Sequence, residues 1–276
     1  MRALPLRFAL GLLTPTLAVV LAWGAAAAGA QTQRPAPADS GPDVELWLRS
    51  CPGAGLRNAK LYAARALGIE LMKRSADRNQ GRSTLDIDRQ FAPMLEHLRK
   101  RGVPSDELAQ MEDAVMGLTE LTSQNPVAAQ VSSVVRMAEG VAATCQRAAA
   151  RLGVGSKGMP GNAPQDQMGN MLSLSQRLAM EHLASALDAR PRTPVAATYV
   201  AQMNDRLAAL RAAAADDRSL QNAHALLEGQ WYFLKRAVQQ PTGRGRQPVE
   251  DIGRASEIMF EVLEAEMRRL GRNSGA

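Results

Sequence analysis

The stretch Leu220–Val238, LQNAHALLEGQWYFLKRAV, decides the fold. Leu220, Ala223, Leu227, Trp231, Leu234 and Val238 recur at steps of three and four. That period puts them on one face of an α-helix, and such a face is stable only when buried against other helices. Val200, Met203, Leu207, Leu210 and Ala214 step in the same way. So do Val131, Val134, Ala138, Val141, Cys145, Ala148 and Leu152. Aromatic residues make up only 4% of the chain. With few β-branched or aromatic runs, no strands are expected. The chain reads as all-α.

The helix breaks fit this reading. Gly102-Val103-Pro104 ends one helix, and Ser105 is the expected N-cap ahead of Asp106 and Glu107. Asn125-Pro126 and Gln240-Pro241 end two others, because a residue before proline avoids the α conformation. The halves also repeat. With Arg65 placed on Arg177, Leu71 meets Leu183, and Phe91, Leu95, Leu98 and Arg99 meet Met203, Leu207, Leu210 and Arg211. Met116 then meets Trp231 and Pro126 meets Pro241. Val134, Val141 and Leu152 meet Ile252, Met259 and Leu270, and each copy closes on a glycine, Gly153 or Gly271. The expectation is two tandem up-down four-helix bundles. Their bounds are 45–153 and 168–273, with a glycine-rich linker over 154–167.

The N-terminus has the marks of an export signal. Arg2 and Arg7 precede the apolar run Phe8–Val20, and Ala28-Gly29-Ala30 offers the small-residue pattern of a cleavage site. Residues 1–30 are read as a cleaved signal peptide, and 31–44 as a Pro-rich polar linker. The rival is an uncleaved anchor, for which the run is barely long enough. The expected compartment is the periplasm, with the membrane touched only through an uncleaved signal.

The net charge is +6, and losing Arg2 and Arg7 leaves it near +4. Basic and acidic residues are mixed along the chain, as on solvated helix faces. No basic stripe points to nucleic acid.

The segment Met171–Ala179, MLSLSQRLA, resembles the signature that opens the PilJ/NarX-type sensor domain. That domain is the periplasmic N-terminus of type IV pilus chemotaxis transducers and nitrate/nitrite sensor kinases. Gln230-Trp231-Tyr232-Phe233 and Ser256-Glu257-Ile258-Met259 extend the resemblance, and Arg57–Leu71 carries it into the first half. The resemblance implies a non-enzymatic sensor module, with a small anion or other small molecule and an inner-membrane signalling protein as its partners. In the nitrate sensors, an arginine of the signature holds the anion at a dimer interface, where its fork suits a planar oxyanion. That position falls on Leu172 in the second half and on Lys60 in the first. The signature's later arginine is kept as Arg65 and Arg177. Lys60, Arg65 and Arg177 are therefore the candidate ligand residues, and nitrate binding in the family's manner is not expected. For Arg65 and Arg177 the plainer reading is an exposed arginine, or one bonded to the end of a neighbouring helix.

Other chemistry is thinly represented. His97, His182 and His224 fall on different helices with no ligand spacing, and read as surface histidines. Met203, Met259 and Met267 lie in the helical stripes and read as core. No nucleophile elbow or phosphate loop occurs. No catalytic residue, metal or cofactor is expected. Cys51 and Cys145 are paired by default in an oxidising compartment. Cys51 is placed just before the first helix and Cys145 about two turns before the end of the fourth, at one end of an up-down bundle. The alternative is a buried free thiol, because Cys145 takes the stripe position of Leu263. Three functions compete: a binding or sensing module, an envelope scaffold without a small ligand, and an enzyme with a site shared between the halves.

Overall fold

The structure is a computed structural model, and it describes residues 43–69, 71, 87–154, 163–188, 195–239 and 246–274. The expected signal peptide and nearly all of the polar segment after it lie outside the described residues. So do residues 155–162 of the glycine-rich segment. Among the described residues there are eight α-helices and no strand. They are α1 (Val44–Ala66), α2 (Ile87–Lys100), α3 (Ser105–Ser123), α4 (Val131–Arg151), α5 (Pro164–Asp188), α6 (Val195–Ala213), α7 (Arg218–Gln239) and α8 (Arg246–Ser274). A single 3-10 turn, Ala128–Gln130, leads into α4. None of the described helices is long and apolar enough to cross a membrane. The protein is all-α, and Gly41–Ala276 forms one compact unit.

The periodic stripes become the core. Met203, Leu207 and Leu210 of α6 are buried, as are Leu220, Leu227, Trp231 and Leu234 of α7. The fourth helices bury Val134, Val141 and Cys145 in α4 and Ile252, Met259 and Leu263 in α8. Gly102 and Gly153 sit at φ 86° and 69°, left-handed values that favour glycine. Past each of them the chain folds back onto its helix: Val103 N donates to Leu98 O and Val154 N to Ala149 O.

Four local expectations need correction. Helix α1 starts at Val44, capped by the Asp43 carboxylate accepting from Leu46 N, so Cys51 lies inside the helix and not before it. Pro52 follows in the same helix. Ser105 is the first residue of α3; the cap position belongs to Pro104, which makes no side-chain capping bond. Helix α8 runs through Gly271 to Ser274, so that glycine does not end it. Met116 is 61% exposed whereas Trp231 is 5% exposed. The residue of α3 that matches Trp231 is the buried Val115, one position earlier, in the stripe Leu108, Met111, Val115, Leu118.

The helix register follows from the contacts. Arg49 meets Asp166, Gly53 faces Leu172 and Lys60 meets Gln176, so α1 and α5 run parallel. Asp43 approaches Gly271 and Arg57 meets Glu257, so α8 runs antiparallel to α1. Helix α4 is antiparallel to α1 on another side, with Cys51 against Cys145 and Gly55 against Val141. The first helix of each half is thus shared at a central seam. A Cβ on Gly53 would stand 1.7 Å from Leu172 Cδ2, and one on Gly169 would stand 2.9 Å from Arg49 O. Glycine at these two places lets the backbones of α1 and α5 approach.

Candidate functional site

The seam buries charge. Lys60 of α1 is 0% exposed. An ammonium in such a place is stable only when every proton finds an acceptor. All three do. Lys60 Nζ donates to Gln176 Oε1 of α5 at 2.7 Å, to Ser256 Oγ of α8 at 2.9 Å, and to Glu257 Oε1 of α8. Glu257 also takes the fork of Arg57, with Nη2 at 2.6 Å from Oε2 and Nε at 3.0 Å from the same oxygen. The Arg57 guanidinium lies 4.4 Å from the centre of the Phe260 ring, whose face favours a cation. Gln176 Nε2 donates to the Ser256 carbonyl at 2.8 Å, and Ser256 Oγ donates to Gly253 O at 2.8 Å. The network joins one helix of the first half to two of the second.

Two cations share one carboxylate here, and the proton affinities reflect that imbalance. Burial opposes ionisation of Glu257, but Lys60 and Arg57 overcome it and hold its carboxyl at about 2. Burial also opposes the charge on Lys60, and the nearby Arg57 guanidinium adds to it. Against the pull of Glu257, these lower the ammonium to about 8. The carboxylate is doubly compensated while the lysine holds only part of a counter-ion. For Lys60 burial is the largest cause and Arg57 adds to it, whereas for Glu257 the two cations together outweigh burial.

The other two candidate cations have separate partners. Arg65 is exposed; its Nη2 donates to Thr122 O at 2.8 Å, near the C-terminus of α3, and its guanidinium lies 5.8 Å from the Tyr62 ring centre. Arg177 spans α5 to α4 through a two-pronged pair with Glu139, with Nε to Oε1 at 2.8 Å, and lies 5.6 Å from the Tyr199 ring centre. Lys60, Arg65 and Arg177 therefore answer three different sets of partners. Leu172, which stands where the resemblance expects an arginine, is fully buried against Gly53.

Glu257 and Arg57 complete the network, and neither is a candidate on sequence grounds alone. Glu257 follows the stripe residue Ser256, and nothing in its spacing distinguishes it from an exposed helix carboxylate. Two histidines also differ from expectation. His182 is 3% exposed and His224 6%, so neither is a surface residue. The His224 ring Nε2 lies 3.0 Å from Leu207 O, which gives the imidazole an acceptor inside the second half. Among the described residues no cluster of three or more His, Cys, Asp or Glu is arranged to hold a metal ion.

Cys51 and Cys145 are joined as a disulfide with their Cα atoms 6.1 Å apart. The bond links α1 to α4 within the first half. No protein-family model, curated protein or solved structure matches the chain.

Proposed function

We propose that the chain is a non-enzymatic, exported binding module of the PilJ/NarX sensor type, acting in the periplasm through a partner protein. The observation that carries this reading is the Lys60–Glu257–Arg57 network at the seam. A cation of the signature set at an interface between helices is what the resemblance leads one to look for. Here the anion at that site is the chain's own carboxylate. With its three protons given to Gln176, Ser256 and Glu257, Lys60 has none left for a small oxyanion. Recognition then falls to the outer surface, and an inner-membrane signalling protein is the partner proposed. The Cys51–Cys145 disulfide supports export, since such bonds persist in oxidising compartments. The second reading, an envelope scaffold with no small ligand, draws on the same observation together with the internal bonds of Arg65 and Arg177.

A thermal-shift screen with nitrate, nitrite, carboxylates and amino acids tests this directly, because a ligand of the native state raises the melting temperature. The expected result is no shift with any small anion. A saturable rise with nitrate, abolished by Lys60→Ala, would replace the partner reading with that of a free-anion sensor. Recovery of an inner-membrane protein on the immobilised mature chain distinguishes the sensor module from the scaffold.

A further inference from the structure

Glu139 of α4 and Glu257 of α8 keep the spacing that sets Val134 on Ile252 and Cys145 on Leu263. They are therefore equivalent positions of the two fourth helices. Each takes the fork of an arginine from the first helix of the other half. Glu257 accepts from Nε and Nη2 of Arg57 in α1, and Glu139 from Nε and Nη2 of Arg177 in α5. The two arginines are equivalent as well. They keep the spacing of Arg49 and Gly169, which face each other where α1 and α5 run parallel. Each guanidinium also has a ring beside it, Phe260 with its centre at 4.4 Å and Tyr199 at 5.6 Å. The structural counterpart of Arg177 is Arg57, not the Arg65 that the sequence repeat sets against it. Arg65 bonds to Thr122 O inside its own half.

Two facing first helices, crossed by two equivalent ion pairs, make an isologous contact. Contacts of that kind join the copies of a symmetric dimer. Each half also gives the seam a glycine, Gly53 against Leu172 and Gly169 against Arg49. We infer that the chain is a dimer fused into one polypeptide. Each half is the binding partner of the other, through α1 on α8 at one side and α5 on α4 at the other. The covalent connection between α4 and α5 is not needed to hold them together. Lys60, Leu172, Gln176 and Ser256 are all 0% exposed between the halves, so the contact has a centre closed to water. The Arg177 pair lies nearer its edge, with the Glu139 side chain 37% exposed against 8% for Glu257. That pair can be altered without stranding a fully buried charge.

The test cuts the full mature chain at a protease site inserted within 155–162, with cleavage verified on a denaturing gel. The Cys51–Cys145 disulfide lies wholly in the first half and does not bridge the cut. Sedimentation velocity at about 10 µM is expected to show one particle holding both halves, whereas partners with a dissociation constant of about 100 µM would separate. Arg177→Glu sets like charge against Glu139 and is expected to weaken the association about tenfold or more. Adding Glu139→Arg reverses the pair and should restore most of that loss, a rescue that a misfolded variant would not show. Arg65→Glu, whose bond stays within one half, should leave the association as in the wild type. Separation of the halves on cutting would overturn the inference. So would an Arg177→Glu chain held as tightly as the wild type, a reversed pair that restores nothing, or equal loosening by Arg65→Glu.

Discussion

The third helices of the two halves, α3 and α7, bury the same stripe and show solvent different faces. Leu108, Met111, Val115 and Leu118 point inward in α3, as His224, Leu227, Trp231 and Leu234 do in α7. On the outside, Gln110, Asp113 and Glu120 of α3 stand where α7 has Leu226, Gly229 and Arg236. The halves also differ within. The first is closed by Cys51–Cys145, while the second has the fully buried Leu263 at the position of Cys145. The inner stripe fixes how a helix packs and so resists change. The outer face and the cross-links are free to diverge, and specialisation of either half resides there. The seam belongs to both halves, and its buried ions join one to the other.

The largest effect is expected at the seam. Glu257→Ala strands Lys60 and Arg57 without their carboxylate, and breaking a buried pair in this way costs about 3–5 kcal/mol. Urea unfolding should register that loss in a single transition if the halves depend on each other, and in the second half alone if they do not. Acid acts on the same carboxylate. Glu257 has a folded-state value near 2, below its ordinary 4.5. Its contribution, about 3 kcal/mol, is therefore complete above pH 4.5 and lost as the pH falls towards 2. Glu257→Gln should flatten that part of the stability profile. Lys60 gives a slope of the same sign at alkaline pH. Its folded-state value near 8 lies below 10.5, so the folded state sheds the proton first and stability rises across that alkaline interval.

The disulfide distinguishes the halves next. It closes a span of 94 residues, and reduction is expected to cost about 2–4 kcal/mol. Amide exchange should locate the loss in α1–α4 and leave α6 and α7 protected. Equal loosening of both halves would show that the seam carries the effect across. The smallest test sets one substitution in two places. Gly53→Ala drives a Cβ into Leu172 and should destabilise by about 1–3 kcal/mol. Gly229→Ala meets open space and should stabilise the helix by about 0.5–1 kcal/mol. Melting temperatures of the two variants should move in opposite directions.

Much of the architecture was legible in residue spacing. The three-and-four steps of α4, α6 and α7 mark their buried faces, and Gly102 and Gly153 mark two helix ends. The repeat slipped by one position at Met116, because apolar identity alone does not separate it from its neighbour Val115. The start of α1 was obscured by Pro52, which a helix accommodates here eight residues after Val44. The site was legible only in part. The resemblance singled out Lys60, but its partners Glu257 and Ser256 lie about two hundred residues along the chain, and a charge gives no sign in sequence of what neutralises it. His182 and His224 were misplaced for a related reason: a polar residue beside an apolar stripe can be buried once a backbone acceptor is within reach, as Leu207 O is for His224.

The central claim is that the seam's cation is engaged by the chain's own carboxylate. A double-mutant cycle on Lys60→Met and Glu257→Gln, read by urea unfolding, tests it most directly. If the claim holds, the double variant loses less stability than the two single variants summed, by about 1.5 kcal/mol or more. Additivity within about 0.5 kcal/mol would mean that the two groups do not interact, and would contradict the account.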